Sequence, residues 1–181
     1  MNKKIAVIYK SKTGFTKKYA EMIAEEIDYV LIDYKNVTVK TMSDFDIIVF
    51  GSRVHAGLID GYKNIREMFL KSTAEKFVLF VTGATPNEAE DVIDEVWKNN
   101  LSPDELNNIP HFYMQSGLCY EKMGFFDKTM MKMMSAMLKN KKDKTSDEKD
   151  FEQAIANSYD ISSKKYVEPL IDCLRGEAYD E

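Results

Sequence analysis

The sequence predicts an α/β fold, a doubly wound five-stranded parallel sheet of order 2-1-3-4-5 with helices on both faces. Three observations predict it. Short apolar runs alternate with longer amphipathic segments along the 181 residues. The runs starting at Ile5, Ile47 and Phe77 are continuous rather than alternating, as parallel strands covered on both faces require. A turn rich in hydroxyls follows the first run, and sheets of this kind take ligands beyond the carboxyl ends of strands 1 and 3.

In chain order, the strands are read at Ile5 to Tyr9, Tyr29 to Ile32, Ile47 to Phe50, Phe77 to Val81 and Phe112 to Met114. Between them, helical spacing puts apolar residues on one stripe. Thr16 to Ile27 presents Ala20, Ile23, Ala24 and Ile27, and Tyr62 to Leu70 presents Ile65, Phe69 and Leu70. Glu88 to Asn99 presents Val92, Val96 and Trp97, and Gly124 to Lys139 presents Phe126, Met130, Met133, Met134 and Met137. Lys164 to Arg175 presents Val167, Leu170, Ile171 and Leu174. Pro169 lies inside that last segment, so it either kinks the helix or places its start near Val167. Asn140 to Asp150 is charge-dense and reads as a solvated loop. Length fits one domain over residues 1–181, since roughly 100 to 200 residues make one domain.

Composition excludes several classes. The net charge is −5 and the pI about 5.2, which argues against a nucleic-acid partner. Cys119 and Cys173 are too far apart for a C-x-x-C zinc site and too few for a disulfide framework, so the expected compartment is the reducing cytoplasm. No metal site is expected. Met1-Asn2-Lys3-Lys4 leads into five apolar residues, too few for a signal-peptide core or a membrane span, so the start is expected to be structural.

The turn after the first strand reads Ser11-Lys12-Thr13-Gly14-Phe15-Thr16 and leads straight into a helix. Hydroxyls can donate to an anion, Gly14 lets the backbone approach it, and the helix start offers free N–H groups with a favourable dipole. Neither G-x-x-x-x-G-K-[ST] nor G-x-G-x-x-G is present, so this is neither a P-loop nor a dinucleotide fingerprint. A hydroxyl-rich cradle suits a phosphomonoester such as that of FMN. The plain alternative is a helix N-cap built from Ser and Thr.

The stretch from Ile5 to Thr16 resembles the flavodoxin signature, a buried strand followed by [ST]-x-T-G-x-T and a helix. Asp44 to Gly57 is similar to the third strand of flavodoxins and the loop after it. The later chain resembles the menaquinone-dependent protoporphyrinogen IX dehydrogenase branch. It does so through Ser52-Arg53-Val54-His55-Ala56-Gly57, Gly117-Leu118-Cys119-Tyr120, Phe125-Phe126-Asp127-Lys128 with the Met130 to Met137 stretch, and Asp150-Phe151-Glu152. It departs from that branch where His55-Ala56 stands in place of an Arg-Tyr-Gly aromatic, and in the segment between its fourth and fifth strands.

The resemblance implies a flavodoxin-like redox protein that binds FMN and transfers electrons to a partner protein or a quinone, as monomer or homodimer. The alternative it implies is FMN-dependent oxidation of protoporphyrinogen IX with quinone. Ser11, Lys12, Thr13, Gly14, Phe15 and Thr16 would hold the phosphate. Ser52, Arg53, Val54, His55, Ala56 and Gly57 would form a loop along the isoalloxazine ring, and Thr82, Gly83, Ala84 and Thr85 would reach its pyrimidine edge. Thr85 is read equally well as an N-cap with Pro86 at the first helical position. Ordinary flavodoxins set aromatics and acidic residues around the ring, whereas these loops offer Arg53 and His55. Beside the reduced ring those cations would ease full reduction; alternatively Arg53 makes an ion pair and His55 packs.

Two further readings stay open. The Met-rich helix either fills the core or, through Phe125, Met131, Lys128, Lys132 and Lys139, meets a membrane surface or a partner. A phospho-receiver domain shares the topology but needs acidic residues where this chain has Tyr9-Lys10-Ser11 and Gly51. A fold relic without flavin is the third class.

Overall fold

A computed structural model describes residues 3–143, 145, 152–153 and 155–176. Most of the predicted charge-dense stretch, Asp150-Phe151 and the Phe126 side chain lie outside the described residues. The chain divides into two compact units: Met1–Ser116 with Ser162–Glu181, and Gly117–Ile161.

The first unit carries a sheet of β1 (Ile5–Lys10), β2 (Val30–Asp33), β3 (Ile47–His55), β4 (Leu58–Ile59), β5 (Lys76–Gly83) and β6 (His111–Gln115). Its order is β2-β1-β3-β5-β6, with β4 paired on β3. All neighbours on the main path are parallel. Set the two-residue β4 aside and this is the predicted order 2-1-3-4-5. The central strands are apolar on both faces because both faces are covered. Ala6, Ile8, Ile48, Phe50, Leu79 and Val81 form one core layer with Ile65, Val96 and Trp97. Val7, Val49, Val78, Phe80 and Met114 form the other, against Tyr19, Ile23, Leu170 and Ile171.

The helices are α1 (Phe15–Ala24), α2 (Val39–Met42), α3 (Tyr62–Leu70), α4 (Glu90–Asn100), α5 (Pro103–Asn108), α6 (Phe125–Asn140) and α7 (Glu168–Arg175). Pro169 stands in the first turn of α7, so it starts that helix rather than kinking it, its missing N–H falling where no bond is due. Two predicted stripes hold except at one end residue, and one shifts in phase. In α1 the inward residues are Tyr19, Ala20 and Ile23, and Ala24 at the helix end is exposed. In α4 Ile93 replaces Val92, which is 50% exposed, and in α3 Tyr62 and Ile65 are buried while Leu70 is 68% exposed. A helix end flares past the sheet it covers, so its last apolar residue is not held to the core.

The second unit contains β7 (Gly117–Leu118) antiparallel to β8 (Tyr159–Asp160), and α6. Gly117 meets the strand opposite so closely that a Cβ there would lie 2.1 Å from the Tyr159 carbonyl oxygen. The Met stripe of α6 does not fill a core: Phe125, Met130, Met133, Met134 and Met137 are exposed. The half-buried row is Lys128, Met131, Ser135 and Leu138 instead. Among the described residues no helix is long and apolar enough to cross a membrane.

Candidate functional site

The predicted phosphate turn sits at the carboxyl end of β1, between β1 and α1. Gly14 takes φ 105°, the left-handed region, which a side chain strongly disfavours. It is the N-cap residue of α1, so no side chain caps that helix. The first intrahelical bond runs from the Lys18 N–H to the Gly14 carbonyl at 2.9 Å. That leaves the N–H groups at the start of α1 turned to an outside acceptor, where the dipole favours an anion. Ser11 Oγ accepts the Gly14 N–H at 3.1 Å and holds the turn. Thr13 is half-buried and outside these bonds, and Lys12 is exposed.

Thr16 is 1% exposed, and its hydroxyl lies 2.9 Å from that of Thr82, where either oxygen can be the donor. The Thr82 hydroxyl also reaches the Ser52 carbonyl, at 3.5 Å. The Thr16 side chain is thus turned inward to β5, and its backbone N–H is the donor it holds at the start of α1.

The predicted Ser52 to Gly57 loop is for the most part strand. β3 runs on through His55, and Ala56 and Gly57 turn the chain into β4, with Val54 opposite Ile59 and His55 opposite Leu58. Ala56 and Gly57 have φ of 50° and 76°, the two positive values of a type I′ turn. Ala-Gly is not one of the usual Asn-Gly, Asp-Gly or Gly-Gly hairpin steps, and His55 interrupts the apolar flank, so the local sequence signals this hairpin only weakly.

Asn100, at the end of α4, clamps the hairpin. Its Nδ2 donates to the Gly57 and Val96 carbonyls at 2.8 and 2.7 Å, and its Oδ1 accepts the Ile59 N–H at 2.9 Å. Arg53 Nε pairs with Asp60 Oδ2 at 2.7 Å, so the ion-pair alternative for Arg53 is realised. Ser52 Oγ donates to the Asp60 carbonyl at 2.6 Å.

After β5 the helix does not start at Pro86. Residues 84–89 form a bend and turn, and α4 begins at Glu90 with Ala89 as its N-cap. The N-cap reading of Thr85 therefore fails. The segment is anchored by its carbonyls: Gly83 accepts from the Ser116 N–H and Oγ at 2.8 and 3.1 Å, and Thr85 accepts from the Tyr113 hydroxyl at 3.0 Å. Its amides at Ala84 and Thr85 remain the groups able to donate outward.

Lys10, at the end of β1, completes the picture. Its ammonium lies 4.9 Å from the Tyr34 ring centroid. A Cβ on Gly61 would come within 3.0 to 3.1 Å of the Lys10 side chain. Sequence reasoning missed Lys10, Tyr34, Asp60, Asn100 and Tyr113, because they belong to this region through strand pairing, the β3–β4 hairpin and helix packing and not through a local motif. Among the described residues no group of three or more His, Cys, Asp or Glu could hold a metal. Cys119 and Cys173 are both free, and the Cys119 thiol donates to Glu121 at 3.4 Å. A cavity of about 630 Å³ in the second unit, lined by Tyr120, Lys128, Lys132, Lys139 and Ile155 among others, contains none of the predicted site residues.

Fold and site together define the class: a doubly wound α/β domain whose three predicted segments gather at the carboxyl ends of β1, β3 and β5. The chain belongs to the flavodoxin domain family, whose model matches residues 6–145. Similar solved structures include a flavodoxin from the domain Archaea, 19% identical, covering 62% of this chain and 84% of that one, with TM-score 0.40. A flavoprotein in complex with FMN from Lactobacillus acidophilus NCFM is 19% identical over 63% of this chain and 93% of its own, TM-score 0.42. Two-electron reduced Megasphaera elsdenii flavodoxin is 17% identical over 60% and 82%, TM-score 0.41. No curated protein matches the chain.

Proposed function

We propose that this chain binds FMN and transfers electrons through it. The observation that carries the reading is the uncapped start of α1 behind Gly14, which stands at the switch point between β1 and β3. A dianionic phosphomonoester fits that donor set: backbone N–H groups of α1, the Thr13 hydroxyl and the charge of Lys12. Ser11 works one step back, holding the turn through Gly14. The β3–β4 hairpin supplies one wall for the ring, stiffened by Asn100, and the amides of Ala84 and Thr85 supply donors for its polar edge. FMN, when bound, supplies the reversible uptake of electrons, and the protein binds, orients and sets the charge around it. No residue need move a proton for a carrier.

The test is binding of FMN against riboflavin, read by quenching of flavin fluorescence. FMN should bind at least tenfold tighter, and Thr13→Ala should weaken FMN while leaving riboflavin unchanged. Equal affinity for the two would refute the phosphate cradle.

The finer reading, oxidation of protoporphyrinogen IX with a quinone acceptor, rests on the resemblance alone, and turnover of that substrate with quinone decides it. The electron acceptor is a partner protein or a quinone. Exposed Phe125, Met130, Met133, Met134 and Met137 of α6, with lysines on the same helix, support contact with a membrane face from the cytoplasmic side. Flotation with anionic liposomes tests that contact.

A further inference from the structure

We propose that Asp60 is a positioning residue of the candidate flavin site, one whose carboxylate fixes Arg53 and offsets its charge. The inference rests on the flavin reading above and deepens it.

Three bonds tie Asp60 to the end of β3. Its carboxylate takes the Arg53 Nε–H at 2.7 Å, its carbonyl takes the Ser52 hydroxyl at 2.6 Å, and its N–H donates to the Arg53 carbonyl at 3.2 Å. The two main-chain bonds hold the Asp60 backbone at the end of the hairpin, and from there its carboxylate reaches Arg53. The side chains are 17% and 31% exposed, against 56% and 65% for the surface pair Lys3–Glu75. An exposed pair such as the latter is worth little. A charge-assisted bond such as this one, at 2.7 Å between partly buried side chains, is about twice as strong as a neutral one. The Lys10 side chain runs beside the next residue, Gly61, and adds a second cation to this corner. The sequence left two readings for Arg53, a cation beside the ring or a member of an ion pair. The pairing makes Asp60 a group that tempers how much of that charge a ligand meets.

Charge counting gives the test. Reduction by two electrons and one proton leaves the flavin one unit more negative, so a positive wall favours it and a negative wall opposes it. The Arg53–Asp60 pair sums to zero, Asp60→Asn leaves +1, Arg53→Gln leaves −1, and the double variant returns to zero. The experiment is a redox titration of FMN-loaded wild type and the three variants, with FMN affinity and thermal melting measured on each. Asp60→Asn should shift the balance about tenfold toward reduced flavin, about 30 mV for a two-electron couple. Arg53→Gln should shift it the other way, and the double variant should lie near wild type. Asp60→Glu, which keeps the charge, should also stay near wild type. A purely structural role predicts instead that both single variants move the potential the same way, with no return in the double variant. That pattern, or no shift in Asp60→Asn, overturns the inference and leaves the flavin reading standing. A wild type that takes up no FMN removes the flavin reading, and this inference with it.

Discussion

Gly51 lies in the middle of β3, one residue before the candidate ring wall, and Phe80 of β5 is its cross-strand neighbour. A Cβ built on Gly51 would fall 2.0, 2.4 and 2.6 Å from Phe80 Cζ, Cε1 and Cε2. Carbon atoms in contact sit about 3.5 to 4.0 Å apart, so Gly51→Ala requires the ring to retreat by roughly 1.5 Å. Phe80 is fully buried in the core layer with Tyr19, Val49, Met114 and Leu170, and close-packed interiors have no such room. Overpacking costs about 1 to 3 kcal/mol, and this overlap belongs at the top of that range, about 3 kcal/mol. At about 2 to 4 °C per kcal/mol for a chain of this size, melting should fall by roughly 6 to 12 °C. The buried single tryptophan, Trp97, reports unfolding of this unit in urea. Phe80→Leu deletes all three overlapping ring atoms, so in that background Gly51→Ala should cost under about 1 kcal/mol, a coupling of about 2 kcal/mol. An equal cost in both backgrounds would refute the steric argument.

Other outcomes follow from the site and its supports. Ala56→Gly removes a left-handed penalty of about 1 to 2 kcal/mol at an entropic cost of about 0.5 to 1 kcal/mol. Urea denaturation should show a net gain of several tenths to 1 kcal/mol. Asn100→Asp keeps the acceptor for the Ile59 N–H but loses both donors, leaving the Gly57 carbonyl unmatched beside a carboxylate; it should destabilise by about 1 to 3 kcal/mol and speed hydrogen exchange at Leu58 and Ile59. Glu105 is partly buried, which raises its pKa, but the Ser102 N–H and hydroxyl, the Tyr62 hydroxyl and Arg66 outweigh that and hold it below 4.5. A lowered folded pKa stabilises above the unfolded value and loses that contribution as pH falls through the folded one. Glu105→Gln should therefore be about 1 to 3 kcal/mol less stable than wild type at pH 7, and the gap should close in the acid range below pH 4.5.

The buried strands were legible because a strand covered on both faces leaves a continuous apolar run, as at Ile47 to Phe50. The turn from β1 into α1 was legible as a turn because its residues are consecutive. The extension of β3 through His55 was not, since Ser52-Arg53-Val54-His55 is too polar to read as core and is held by the β4 pairing and by Asn100. The α4 phase was missed because Val92 and Ile93 are equally apolar and only the packing around Trp97 chooses between them. Charge compensation at Arg53 needed the hairpin to bring Asp60 back across seven positions.

Thr16, Thr82, Ser52 and Asp60 are joined by hydrogen bonds that run from α1 through β5 and β3 to the hairpin. Two of the acceptors, the Ser52 and Asp60 carbonyls, belong to the backbone and survive any substitution at those positions. Only the Thr16–Thr82 contact joins two side chains, so an aliphatic residue at one of them takes a partner from the buried hydroxyl of the other. Natural drift and designed libraries alike therefore do best to change those two positions together, which couples the start of α1 to the end of β5.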